Sequence, residues 1–137
     1  MFTHVDHIGL LVKDLDESVK FYTSAFDLSE WEIIPMPERH MMVAAARLGD
    51  TLVELICPTS DDAAIAKQLK EKGPGMHHIA YRVDDIRASL KELQDRGVRL
   101  IDKEPRPGIH NTLIAFTHPK NGDQGVLIEL VQHQDAH

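Results

Sequence analysis

The sequence predicts an α+β fold made of two tandem βαβββ modules, and three observations carry that prediction. The run Asp6-His7-Ile8-Gly9-Leu10-Leu11-Val12-Lys13-Asp14-Leu15 recurs as His77-His78-Ile79-Ala80-Tyr81-Arg82-Val83-Asp84-Asp85-Ile86, so that His78 answers His7 at an offset of 71 residues. The same offset pairs Val12 with Val83, Asp14 with Asp85, Ser18 with Ser89 and Lys20 with Lys91. Each copy also closes on an apolar run with a glutamate at its centre, Leu52-Val53-Glu54-Leu55-Ile56 and Leu127-Ile128-Glu129-Leu130-Val131. Their offset is 75, which places four extra residues in a loop of the second copy. Finally, apolar periodicity switches in both copies from two to that of a helix after the His-containing strand.

The elements follow in order. Thr3 to Val12 alternates, with Ile8, Leu10 and Val12 on one face as the expected helix-packing set and Val5, His7, Gly9 and Leu11 on the other. Asp14-x-x-Glu17 has the form of a capping box, and Leu15, Val19, Tyr22 and Phe26 follow as a helical apolar stripe. Strands are expected at Ser29–Met36, Met41–Leu48 and Leu52–Cys57, with Gly49-Asp50 as a turn. Asp61–Lys72 reads as a linker helix with Ile65, Ala66 and Leu69 inward, a basic end, and a stop at Gly73-Pro74-Gly75. The second copy repeats the order: a strand from Met76 to Val83, a helix over Asp85–Arg96 stopped by Gly97, and strands at Val98–Asp102, Thr112–Phe116 and Gly125–Val131. Modules of this size bury too little surface to be stable alone. The expectation is therefore one domain over residues 1–137, with module 1 at about 1–60, the linker helix at about 61–72 and module 2 at about 74–133.

Composition excludes several classes. A hydrophobic fraction of 42% and a charged fraction of 27% are those of an ordinary globular protein. No apolar run approaches the roughly 18 residues of a membrane span, and no secretory signal is visible in Met1-Phe2-Thr3-His4-Val5-Asp6. A lone cysteine, Cys57, excludes an intramolecular disulfide and suits a reducing, cytoplasmic setting, where it serves as packing. The net charge of −7 argues against nucleic-acid binding. It permits an anionic small molecule, because a bound cation dominates a local field.

Period-two alternation sets His7 with Gly9, His78 with Ala80, Glu54 with Leu52 and Ile56, and Glu129 with Leu127 and Val131. Singly, each residue reads as a structural histidine or a solvated carboxylate. Jointly they occupy matching places of a repeat, and both carboxylates lie between apolar neighbours, where an unpaired charge is costly. A divalent ion relieves that cost. The expectation is that the two half-sheets curl together around a metal site made by His7, Glu54, His78 and Glu129. Two imidazoles and two carboxylates suit Zn²⁺, Co²⁺, Ni²⁺ or Mn²⁺ better than the oxygen-loving Ca²⁺ and Mg²⁺. His77 points away from His78 and reads as structural, while His133 and His137 lie in a polar tail and receive no role. Lys103, Arg106 and Lys120 are candidates to meet phosphates, but individually each reads better as a solvated loop charge.

With these residues in view, the chain resembles the vicinal oxygen chelate superfamily, which includes glyoxalase I, extradiol dioxygenases, fosfomycin-resistance proteins and methylmalonyl-CoA epimerase. Asp6-His7-Ile8-Gly9, Leu48-Gly49-Asp50-Thr51-Leu52-Val53-Glu54, Gly75-Met76-His77-His78-Ile79-Ala80 and Phe116-Thr117-His118-Pro119-Lys120 make it most similar to the epimerases, over nearly its whole length. The resemblance implies a cytoplasmic homodimer with one divalent ion per chain and an acyl-CoA or related thioester as its small-molecule partner. The implied reaction interconverts (2R)- and (2S)-methylmalonyl-CoA by α-proton abstraction and an enediolate, with Glu129 both a ligand and a catalytic acid–base. A second acid–base group is required on the opposite face, and Glu38 is the nearest candidate in the motif. The alternatives are a glyoxalase-I-type lactoylglutathione lyase and a non-catalytic small-molecule-binding or resistance protein of the same fold. Three departures fall where substrate would sit. His40-Met41 stands where epimerases carry Gly-Val, Val43 where some members place a second catalytic glutamate, and Gly108-Ile109-His110-Asn111-Thr112 where Gly-Ala-His-Gly-Lys is usual.

Overall fold

The repeat in the sequence is a repeat of helix caps as much as of strands. In the computed structural model, which describes residues 1–121 and 126–134, strand β1 (His4–Leu11) leads to helix α1 (Leu15–Phe26). Asp14 sits in extended backbone and its carboxylate accepts the Glu17 amide at 3.1 Å. Strand β5 (Gly75–Arg82) leads in the same way to helix α3 (Ile86–Asp95), where Asp85 accepts the Ala88 amide at 3.1 Å. Each aspartate satisfies one of the amides that a helix N-terminus leaves unpaired.

The chain forms two units, His7–His77 and Met1–Asp6 with His78–His137. In the first, β2 (Glu32–Met36), β3 (Met41–Leu48) and β4 (Thr51–Pro58) join β1 in the order β2-β3-β4-β1. The β3–β4 hairpin pairs Leu48 with Thr51 across Gly49-Asp50, and Gly49 takes φ 64°, a conformation open to glycine at little steric cost. Strand β1 lies parallel to β4, with Gly9 opposite Glu54 and Leu11 opposite Ile56. Val43, Ala44, Ala45 and Ala46 of β3 are all buried, as are Leu55 and Ile56 of β4. These central strands are thus covered on both faces, which their continuous apolar runs require. Helix α2 (Ala64–Lys72) follows and ends at Gly73.

In the second unit, β6 (Arg106–Pro107), β7 (Thr112–Phe116) and β8 (Leu127–His133) join β5 in the order β5-β8-β7-β6. Its two faces have distinct cores. Val83, Ile86, Leu90, Ala115 and Leu130 pack α3 onto one face, while Ala80, Ile114 and Val131 form a cluster on the other, with Phe116 against it.

Several expectations are corrected. Residues 98–102 do not form a strand: Leu100 makes only an isolated bridge to Thr117, and the edge strand is Arg106–Pro107. The reason is local. The Asp102 carboxylate takes the Phe116 amide at 2.9 Å, displacing a continuing backbone ladder. The linker helix starts at Ala64 instead of Asp61, because the Ser60 hydroxyl accepts the Asp62 amide and its carbonyl the Ala63 amide, which closes a turn first. Leu15, Val19 and Tyr22 of the expected α1 stripe are only half-buried, and Phe26 does not join them. It is 65% exposed and rests edge-on against Phe21. On β1 the expected helix-packing residues Ile8 and Leu10 are only half-buried, whereas His7, Gly9 and Leu11 of the opposite face are buried. The start of the last expected strand at Gly125, and His137, lie outside the described residues.

Gly108 is the tightest backbone position. A Cβ there would lie 2.5 Å from Thr112 Oγ1 and 2.7 Å from Ile114 Cγ2. Gly108→Ala should push β6 away from β7 and lower stability by about 1–3 kcal/mol, the usual cost of overpacking. Urea unfolding of the variant and the parent, followed by circular dichroism, checks this.

Candidate functional site

Each unit places one histidine and one glutamate on one sheet face. In the first unit the β1–β4 register sets Gly9 beside Glu54 and His7 beside Leu52, so His7 and Glu54 are diagonal neighbours. Long side chains reach across such diagonals, and His7 Nδ1 lies 3.6 Å from Glu54 Oε2. Both residues are 6% exposed. Around them Val43 opposes Ile56 and Ala45 opposes Glu54 across β3 and β4, so the wall on that side is apolar and buried.

The second unit repeats the arrangement. Ala80 stands beside Glu129 and His78 beside Leu127, and His78 Nε2 lies 3.8 Å from Glu129 Oε1. Exposure is 4% for His78 and 3% for Glu129. Phe116 is opposite Glu129 on β7, and its ring meets the His78 imidazole edge-on at 5.8 Å. The small residues Gly9 and Ala80 leave the space above the sheet into which each histidine and glutamate lean. Both separations exceed a hydrogen bond, so neither pair is a direct imidazole–carboxylate bond. Buried oxygen and imidazole-nitrogen donors on an apolar face are what a divalent transition ion requires of a protein.

Other candidates separate clearly. Glu38 lies exposed in a single 3-10 turn, Pro37–Arg39. Val43 is 2% exposed and carries no titratable group at a position where some family members have one. Burial lowers the pKa of His77 from its ordinary value, which favours a neutral, structural imidazole. His118 accepts the Lys120 amide through Nδ1 at 3.1 Å and so shapes its own turn. Burial raises the Cys57 thiol, consistent with a packing role. Asn111 has φ 56°, a conformation asparagine tolerates, which explains how it stands in place of a glycine. Lys103 and Lys120 are exposed.

Sequence reasoning missed one half-buried polar cluster entirely. His133, given no role, is the last residue of β8 and its Nε2 lies 2.7 Å from Asp6 Oδ1, with Arg82 Nε 3.9 Å from the same oxygen. The contact spans 127 residues, and nothing local in the polar sequence around His133 announces it.

A sequence profile for the glyoxalase/bleomycin resistance protein/dioxygenase superfamily matches residues 6–116. The chain belongs to that superfamily. It is 36% identical to the human mitochondrial methylmalonyl-CoA epimerase, over 93% of this chain and 73% of that protein. To an ethylmalonyl-CoA/methylmalonyl-CoA epimerase of Cereibacter sphaeroides it is 33% identical, over 96% of this chain and 99% of the relative. Among solved structures, a methylmalonyl-CoA epimerase in complex with methylmalonyl-CoA and NH4+ superposes with a TM-score of 0.91 at 34% identity, covering 98% of this chain and 97% of that one. Among the described residues no helix is long and apolar enough to cross a membrane.

The His133–Asp6 contact yields a test. His133→Ala would leave the buried Asp6 carboxylate short of a partner and should cost about 1–3 kcal/mol of stability. Chemical denaturation of the variant and the parent measures it.

Proposed function

We propose that the chain is a metal-dependent epimerase that interconverts (2R)- and (2S)-methylmalonyl-CoA through an enediolate. The observation that carries this reading is the matched pair of buried His–Glu arrangements, in a chain about one-third identical to epimerases over nearly its full length. His7, Glu54, His78 and Glu129 would hold the ion. They are buried donors of the kinds that bind a metal, and their apolar surroundings make an uncompensated carboxylate costly. Homodimeric assembly and a cytoplasmic setting belong to the same proposal and rest on the resemblance.

The ion, when bound, supplies Lewis-acid charge that lowers the cost of removing the α-proton. The protein does the rest. Glu129 takes the proton from the carbon between the substrate's carboxylate and its thioester carbonyl onto a carboxylate oxygen, and a second, protonated group on the opposite face gives that carbon a new proton, which completes the inversion. The Ala80, Ile114 and Val131 wall keeps water from that carboxylate. His78, braced edge-on by Phe116, holds its ring orientation. Glu54 is a ligand in this scheme. Val43 removes one place from which a second proton carrier could act, and Glu38, exposed in its turn, is the residue to examine next.

Purified protein should contain about one divalent transition ion per chain, and His7→Ala or His78→Ala should lose it. Elemental analysis decides the matter: full occupancy in both variants would remove the basis of the metal proposal. The reaction is read by solvent deuterium incorporation into methylmalonyl-CoA, compared with turnover of the methylglyoxal–glutathione hemithioacetal. Exchange on the first with none on the second supports an epimerase, and the reverse supports a lyase.

Glu129 and Glu54 differ in a testable way. Glu129→Gln keeps an amide oxygen for the ion but cannot carry a proton. It should retain much of its metal and lose exchange by a factor on the order of 10²–10⁴. Glu54→Gln should mainly weaken metal affinity. Equal small losses in both at full occupancy would move the base elsewhere.

A further inference from the structure

Arg106 reads in the sequence as a solvated loop charge, but its position in the sheet is specific. It lies on the edge strand β6 opposite Ile114, and Ile114 lies opposite Val131 on β8. Residues opposite one another in adjacent strands share a face, and Ile114 and Val131 belong to the core cluster that contains Ala80 and Phe116. Arg106 is therefore on the same face as His78 and Glu129. Its guanidinium carbon stands 5.5 Å from the centre of the Phe116 ring, the ring that meets His78 edge-on. Its Nε is 3.4 Å from Asp102 Oδ1, and Asp102 Oδ2 accepts the Phe116 amide at 2.9 Å. One carboxylate thus aims the arginine and ties it to the strand that flanks Glu129.

Stability does not account for this arrangement. The Arg106 side chain is 45% exposed, and ion pairs of that exposure contribute little. What the arrangement does provide is a planar cation at the rim of the Glu129 face, backed by an aromatic ring and held by an acid at Nε. The outer nitrogens of a guanidinium are the ones that grip a carboxylate or phosphate two-pronged. On a chain with a net charge of −7, an anionic substrate has particular need of such a contact.

We propose that Arg106 is a specificity-determining residue of this site, binding an anionic oxygen group of the thioester, with Asp102 as its positioning residue. The inference rests on the thioester reading of the preceding subsection. The anion has two possible sources in such a substrate, the carboxylate of the acyl group and the phosphates of the CoA portion.

The test measures binding by calorimetry for the metal-loaded wild type, Arg106→Ala, Arg106→Lys and Asp102→Asn. The ligands are methylmalonyl-CoA and methylmalonyl-pantetheine, which keeps the acyl carboxylate and lacks the phosphates. Arg106→Ala should weaken binding about 10- to 100-fold, the range of a charge-assisted two-pronged contact. Arg106→Lys, which keeps the charge but not the planar fork, should recover only part of it. Asp102→Asn should weaken binding less, in the same ligand. Loss with both thioesters assigns Arg106 to the acyl carboxylate, whereas loss with the CoA thioester alone assigns it to a phosphate. Binding within twofold of wild type for both ligands in Arg106→Ala and Arg106→Lys would overturn the inference. Deuterium exchange by the wild type is measured in parallel. If it is absent while the arginine variants still bind less tightly, the epimerase reading fails and the anion contact stands. A wild type that binds neither thioester overturns both.

Discussion

A carboxyl group in an apolar face is the constraint around which each half of this protein is arranged. Glu54 and Glu129 sit mid-strand with Leu52, Ile56, Leu127 and Val131 on their own face, at 6% and 3% exposure. Removing such a group from water costs several kcal/mol unless charge or hydrogen bonds replace the solvent. A nearby imidazole is part of the answer in each unit. Its nitrogen stands 3.6 Å from the carboxylate oxygen in the first unit and 3.8 Å in the second.

The remaining features serve to hold these pairs in place. The small residues Gly9 and Ala80 flank the glutamates so that the histidine side chains can lean over them. Asp14 and Asp85 start their helices at equivalent points, which sets the chain's exit from β1 and β5 identically. In the second unit α3 covers the far face through Ile86 and Leu90, leaving the Glu129 face to Ala80, Ile114 and Val131. The duplication is therefore physical as well as textual: the same capping and the same register recur.

Two of the three departures from the epimerase pattern, His40-Met41 and Val43, fall on the unit that carries Glu54, and the third, over residues 108–112, falls on the unit that carries Glu129. A valine at position 43 makes the wall beside Glu54 wholly apolar, with Ala45 and Ile56 completing it. On the other unit Arg106, which stands over the Phe116 ring and pairs with Asp102, brings charge to the edge of the Glu129 face. The two similar halves therefore surround their glutamates differently, the first with apolar side chains and the second with a charged pair at the edge of its sheet.

Much of this was legible in the sequence. Periodicity and the repeat located the main strands and helices, the Asp14 cap, and His7, Glu54, His78 and Glu129 at matching mid-strand positions, because each of these depends on neighbours within one turn or one strand. Three things were decided only by tertiary structure. The strand expected at 98–102 gave way because Asp102 bonds a backbone amide of β7, a partner 14 residues away. His133 lost its apparent irrelevance because β8 brings it to Asp6 across 127 residues. Arg106 acquired a face and a neighbour because the register of an edge strand aligned it with Ile114 and set it over Phe116. Local pattern states which side of a strand a residue takes. Which residue of another strand stands beside it is set by long-range pairing, and no single segment of the chain encodes that.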